Sequence, residues 1–159
     1  MKICIGGIEN NKIVKNILIS GSKSESNRLL ILQKLFDGIN ITNLSDSDDT
    51  HHLQHALSSN EAIINIGHAG TAMRFLTSYF ALKDGREVIL TGSERMQNRP
   101  IQILVNALKD LGATISYEAK EGYPPIRIKG TKITKDKVQI NGNVSSQYIS
   151  SLLLIASKL

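Results

Sequence analysis

The sequence predicts an α/β protein in which helices bury one face of a mixed sheet. A unit of helix, strand, helix and strand is readable twice along its 159 residues and opens a third time. In both full units the apolar spacing changes from helical to extended at an Asp-Gly dipeptide, the signature of a helix-to-strand turn.

The first unit opens at Gly21, continues as SKSESNRLLILQKLF, turns at Asp37-Gly38 and extends as INITNL. Ser22 and Ser24 stand before an apolar face of Leu29, Leu30, Leu32, Leu35 and Phe36, as in a capped amphipathic helix. The polar loop SDSDD leads to a helical THHLQHAL, capped by Asp48 or Asp49, and to the strand AIINI. The second unit opens at Gly67, continues as HAGTAMRFLTSYFAL, turns at Asp84-Gly85 and extends as EVILTG. After the loop SERMQN comes the helix RPIQILVNALKDLG, with Pro100 in its first turn and Gly112 at its end, then the strand ATISY. Two more extended runs, PPIRIKG and KVQING, precede Gly142, where SSQYISSLLLIASKL restarts the opening helix. Gly21 to Arg28 and Gly67 to Arg74 are both seven residues apart, and His55-Ala56-Leu57 echoes Asn106-Ala107-Leu108.

Apolar residues at 41% and charged residues at 21% fit a globular chain rather than a disordered one. No apolar run approaches the ~20 residues of a membrane helix, and MKICIGGIENNK lacks the apolar core of a secretory signal. The lone Cys4 cannot form an internal disulfide, which favours a reducing cytoplasm, and it reads as a small core residue on a strand. A net charge of +5 favours anionic partners. The positive charges are dispersed, several of them beside Gly and Ser at helix starts, there is no tryptophan, and no basic block occurs. That placement suits small phosphorylated or carboxylated ligands better than nucleic acid.

Three helix starts and one loop are candidate anion sites. In Gly21–Arg28, free backbone N–H groups attract an oxyanion, Lys23 adds a point charge, Ser24 a hydroxyl and Arg28 a planar fork. Gly67–Arg74 brackets a short turn with Gly67 and Gly70, letting a ligand approach the main chain; His68 there reads as structural. Ser145, Ser146 and Gln147 either complete a phosphate or hydroxyl site or cap a helix. Arg99 stands before Pro100 at a helix entrance and suits capture of a carboxylate or phosphate, or a surface ion pair. Asp46, Asp48 and Asp49 lack the glycine and final glutamate of a calcium loop, so no metal is expected. Neither a Walker loop nor a dinucleotide fingerprint is present.

Six strings resemble the 5-enolpyruvylshikimate-3-phosphate (EPSP) synthase family, in that family's order: GSKSESNR (21–28), LSDSDDT (44–50), GHAGTAMRF (67–75), LTGSERMQNRPI (90–101), YPPIRIKG (123–130) and VSSQYISSLLL (144–154). The resemblance implies transfer of the enolpyruvyl group of phosphoenolpyruvate to the 5-hydroxyl of shikimate 3-phosphate. It implies addition then elimination through a tetrahedral intermediate, without metal or organic cofactor. Lys23 would touch both substrates. Ser24, Arg28, Ser145 and Ser146 would bind shikimate 3-phosphate, Gln147 would lie between the substrates, and Gly70 and Arg99 would hold phosphoenolpyruvate.

The resemblance also implies two domains of repeated β-α-β-α-β-β units closing over the substrates. Residues 1–19 would belong with a missing second, carboxy-terminal domain. An incomplete first domain would hold units at about 20–66 and 67–141 and the start of a third at 142–159. The ending Ser157-Lys158-Leu159 carries no cap, so the chain is expected to be an amino-terminal part, inactive alone, with the principal acid/base groups beyond it. His68 stands where many members have Asn and Phe75 where many have Pro, and the stretch from Leu57 to Gly67 is short, which bears on sensitivity to glyphosate. Two other readings are a sister transferase acting on a nucleotide sugar and a non-catalytic or RNA-related module. The first typically has Asn at the position of Ser24 and often a reactive Cys in the loop equivalent to 93–99.

Overall fold

The structure, a computed structural model, describes residues 18–159. Cys4 and nearly all of the segment expected to pair with a second domain lie outside the described residues. The elements are α1 (Lys23–Leu35), α2 (Asp48–Ser58), β1 (Ile63–Asn65), α3 (Gly70–Ala81), β2 (Glu87–Thr91), α4 (Glu94–Gln97), α5 (Gln102–Leu111), β3 (Thr114–Tyr117), β4 (Ile126–Lys129) and α6 (Ser146–Ile155). A turn of 3-10 helix, Ala156–Lys158, follows α6.

The sheet order is β1-β2-β4-β3. β1 and β2 are parallel, with Ile64 opposite Leu90, and parallel neighbours need a crossover, which α3 provides. β2 and β3 are likewise joined through α5, but β4 is inserted between them, antiparallel to both. The mixed sheet of the expected α/β class is thus formed. One face of it is buried through Ile64, Val88, Leu90, Ile115, Ile126 and Ile128, while Glu87, Thr114 and Lys129 point outward. That alternation is the period of two that strand geometry imposes. On the outer face Arg127 pairs with Glu87 at 2.6 Å and grips both oxygens of Glu118 at 2.8 and 3.0 Å.

α3 is the centre of the molecule, with eleven of its twelve residues buried. A helix apolar on every side belongs inside. Its buried polar groups are satisfied locally: Thr77 Oγ1 donates back to the Met73 carbonyl at 2.7 Å. The smaller fold-level expectations hold where the chain itself decides them. Ser22 caps α1, accepting from the Glu25 N–H, and Gly112 ends α5 in the left-handed region at φ 108°.

Five local expectations are corrected. INITNL forms no strand, because no described strand lies beside it to complete a ladder. KVQING is irregular as well. Its alternation is real, since Val138 and Ile140 pack on the core, but it pairs with no edge of the sheet. Pro100 precedes the helix rather than entering it: Ile101 is the non-helical N-cap of α5, its N–H held by the Gly122 carbonyl at 2.8 Å. Ser47, not an aspartate, is the N-cap of α2, with Asp48 and Asp49 in its first turn where the helix dipole favours them. Finally, the loop SERMQN contains α4, because Ser93 Oγ accepts from the Met96 N–H at 3.3 Å and nucleates a turn.

Candidate functional site

The three opening helices lie side by side and run parallel. Near the entrances of α3 and α6, Gln147 Nε2 donates to Thr71 Oγ1 at 3.3 Å. Deeper along the same pair, Ser151 Oγ donates to the Arg74 carbonyl and contacts Ser78 Oγ, each at 2.6 Å. Since the Ser151 proton goes to the carbonyl, Ser78 is the donor in the hydroxyl pair. Between α1 and α6, Arg28 Nη2 donates to Ser150 Oγ at 3.1 Å, and eight residues on in both segments Lys158 sits 4.3 Å over the Phe36 ring. The contacts advance in step, so all three N-termini, with their unpaired N–H groups, come to one side.

On that side the first cluster is built on α1 and α6. Lys23 and Ser24 are exposed in the first turn of α1, and Lys23 Nζ stands 3.8 Å from Asp49 Oδ1 on α2. Arg28 is tethered at Nη1 to its own Ser24 carbonyl at 2.7 Å, and its guanidinium lies 5.6 Å over the Phe75 ring of α3. A planar fork held flat on an aromatic face keeps its direction. Ser145 caps α6 by accepting from the Gln147 N–H at 3.3 Å, and Ser146 is exposed beside it. Gln147 reaches from this cluster to Thr71, the neighbour of Gly70.

Gly70 and Arg99 form the second cluster. A Cβ added at Gly70 would overlap the Arg99 guanidinium, to which the three nearest atoms belong. Arg99 is exposed: its N–H donates to the Met96 carbonyl at 3.0 Å, while its guanidinium makes no hydrogen bond or ion pair among the described residues. The main chain after it is held firmly. The Pro100 carbonyl accepts from Arg74 Nη2 at 2.8 Å and from the Tyr148 hydroxyl at 2.7 Å. Arg74 is 3% exposed and also donates to the Gly70 carbonyl and to Met96 Sδ. Burial pulls its guanidinium below the ordinary arginine range, and the Tyr148 hydroxyl opposes that pull. Arg74 therefore ties together the backbone at the start of α3, the Met96 side chain of α4 and the backbone at the entrance of α5, the segments around Arg99.

The structure thus brings Arg28 of α1 against α6, whose entrance carries Ser145, Ser146 and Gln147, and Gln147 reaches Thr71, next to Gly70; Lys23 and Ser24 lie exposed in the first turn of α1. Ser150 carries no anion signal in the sequence, being one short hydroxyl in the helical run after Gln147. Thr71 and Arg74 lie within the Gly67–Arg74 helix start, and Arg74 is further marked by its seven-residue spacing from Gly67, the same as Arg28 from Gly21. Of the clustered aspartates, Asp46 meets His51 at 2.9 Å and Asp49 meets Lys23 at 3.8 Å. Among the described residues no group of three His, Cys, Asp or Glu is placed to hold a metal ion.

The family model of EPSP synthase (3-phosphoshikimate 1-carboxyvinyltransferase) matches residues 54–159. The chain belongs to the EPSP synthase family. Among its relatives, the 3-phosphoshikimate 1-carboxyvinyltransferase of Bacteroides fragilis is 52% identical over 146 residues, which are 91% of this chain and 35% of that protein. The enzyme of the same name from Actinobacillus pleuropneumoniae is 39% identical over 175 residues, 92% of this chain and 40% of its own length. The chain therefore spans about 35–40% of the length of these curated relatives. In fold it is similar to EPSP synthase from Acinetobacter baumannii, with a TM-score of 0.69 over 87% of this chain and 37% of that one, at 20% identity. The mixed α/β arrangement is what the repeated helix-and-strand units led one to expect, and its likeness to EPSP synthase is what the family resemblance implied. Among the described residues no helix is long and apolar enough to cross a membrane.

Proposed function

We propose that this chain supplies the surface on which an EPSP synthase seats shikimate 3-phosphate beside phosphoenolpyruvate for enolpyruvyl transfer. The observation that carries the reading is the convergence of three parallel helix entrances, bearing Lys23, Arg28 and Gln147, onto one side next to Gly70 and Arg99. Both substrates are anions, and N–H-rich helix entrances with fixed cations are anion seats.

In this reading Ser145 and Ser146, at the α6 entrance, take the phosphate of shikimate 3-phosphate. Arg28, braced on Phe75 and Ser150, and Ser24 hold the rest of that molecule. Arg99 takes the carboxylate or phosphate of phosphoenolpyruvate, its guanidinium seated over Gly70, where the missing side chain leaves room for it. Lys23 and Gln147 stand between the two anions. Their contribution is position and charge: bringing the 5-hydroxyl oxygen against the enolpyruvyl carbon and stabilising the charge of the tetrahedral adduct. No metal or organic cofactor enters this scheme, the principal proton donor and acceptor are not assigned to these residues, and a second domain is proposed to close over them. The chain by itself is expected to bind without turnover. The setting is cytoplasmic intermediary metabolism, with the single cysteine as its support.

Titration calorimetry with shikimate 3-phosphate tests this. Arg28→Ala removes a charge-assisted bond and should weaken binding by about 1.5–3 kcal/mol. An unchanged affinity counts against the assignment.

A further inference from the structure

A cavity of about 450 Å³ lies at the far ends of α1, α3 and α6, away from the entrances that carry the candidate substrate surface. Four lysines line it: Lys34 in the last turn of α1, Lys83 just after α3, Lys132 after β4 and Lys158 after α6. Between them Leu35, Leu82, Ile133 and Leu159 give it an apolar floor. No carboxylate lines it; Asp37 and Asp84, in the turns after α1 and α3, are exposed outside it. Two of the ammoniums are held over aromatic rings, Lys83 at 4.8 Å from Tyr79 and Lys158 at 4.3 Å from Phe36. None of the four ammoniums makes a hydrogen bond or ion pair among the described residues. The loop carrying Lys132 is tied to the turn carrying Lys83. The Gly130 N–H donates to the Arg86 carbonyl at 2.7 Å and the Thr131 N–H to the Ala81 carbonyl at 3.1 Å. A Cβ at Gly130 would overlap the Lys83 carbonyl, so glycine lets the two segments close up.

We infer that this lysine-ringed cavity is a second anion site, separate from the substrate surface, and that it takes a polyphosphate chain. Lysines near helix C-termini ordinarily answer the negative end of the dipole. That role does not account for the whole set. The three helix ends together carry about −1.5 elementary charges, less than four ammoniums supply, and Lys132 is on no helix. The excess is positive charge gathered round one hollow, with no lining carboxylate to neutralise it. A single phosphate group meets only part of such a ring, whereas a chain of phosphates reaches several ammoniums at once. The apolar floor gives the base of a nucleoside on the same chain a surface to cover.

Inorganic triphosphate is the probe, titrated into the 159-residue chain at constant ionic strength and read from the amide shifts of residues 82–84, 131–133 and 158–159. Inorganic phosphate should bind at these amides roughly tenfold more weakly. Lys83→Gln should weaken triphosphate binding about threefold, as should Lys132→Gln, whose side chain lies over no ring among the described residues, and the two together about tenfold. Lys120→Gln, which removes a lysine outside the cavity, and Arg99→Ala should leave this affinity unchanged. Adenosine triphosphate without divalent metal distinguishes the source: tighter binding assigns a nucleoside-borne chain, and equal affinity a free one. The inference is overturned by the absence of saturable shifts at these amides, by phosphate binding as tightly as triphosphate, or by Lys120→Gln costing as much as Lys83→Gln.

Discussion

Substituting Gly70 by Ala separates a structural role for this glycine from a ligand-seating one. Gly70 is the first residue of α3 and its backbone is not in the left-handed region, so alanine meets no conformational barrier. The three atoms nearest an added Cβ all belong to the Arg99 guanidinium, the end of a flexible side chain, and none to backbone. The methyl is therefore expected to be accommodated by displacing Arg99. Alanine is favoured over glycine in helices by up to about 1 kcal/mol, which in a chain of this size raises the melting temperature by about 2–4 °C at most. Losing the Arg99 contact to a bound anion costs about 1.5–3 kcal/mol, or roughly ten- to hundredfold in affinity. Stability and binding should thus move in opposite directions. Thermal unfolding and an amide-shift titration with phosphoenolpyruvate, both on the same protein, give the two numbers. A variant that binds as tightly as the parent, or that melts several degrees lower, refutes the reasoning.

Two further substitutions test how the site is supported. Ser151→Ala removes the hydroxyl that serves the Arg74 carbonyl and accepts from Ser78, in a position with no exposure. It should cost about 1–3 kcal/mol in urea unfolding. Adding Ser78→Ala should recover part of that loss, because the stranded donor goes too; a double variant less stable than the single one contradicts the donor assignment. Tyr117 has a buried hydroxyl without a partner among the described residues, and burial, with Glu121 second, raises its pKa above the ordinary tyrosine value. A raised folded pKa means full stability below the unfolded pKa near 10, lost as pH rises through the folded value. Tyr117→Phe should match or exceed the parent at neutral pH by up to about 1 kcal/mol and lose less above about pH 10, as urea midpoints would show. Lower stability at neutral pH would mean that the phenol has a partner after all.

Much of this molecule is determined by the sequence alone, because the signals concerned are local. Ser22, Ser145 and Gly112 act through their own backbone neighbours, so the entrances of α1 and α6 and the end of α5 could be read from residue type and spacing. The alternation of EVILT and IRIK marks strands because the same residues alternate between core and surface. INITNL and KVQING carry a similar alternation yet form no strands, since a ladder needs a partner that the chain places elsewhere.

The clearest division falls on the two arginines at matching positions of the repeat. Each folds back to the carbonyl four residues before it, Arg28 to Ser24 and Arg74 to Gly70. Sequence makes them equivalent, and the packing of three helices makes them different. α1 lies at the flank, so Arg28 keeps partial access to the shared surface; α3 is enclosed on every side, so Arg74 is sealed beneath the Arg99 loop. Which repeated cation faces a ligand and which braces the backbone depends on what covers each helix, and no periodicity within one helix contains that information.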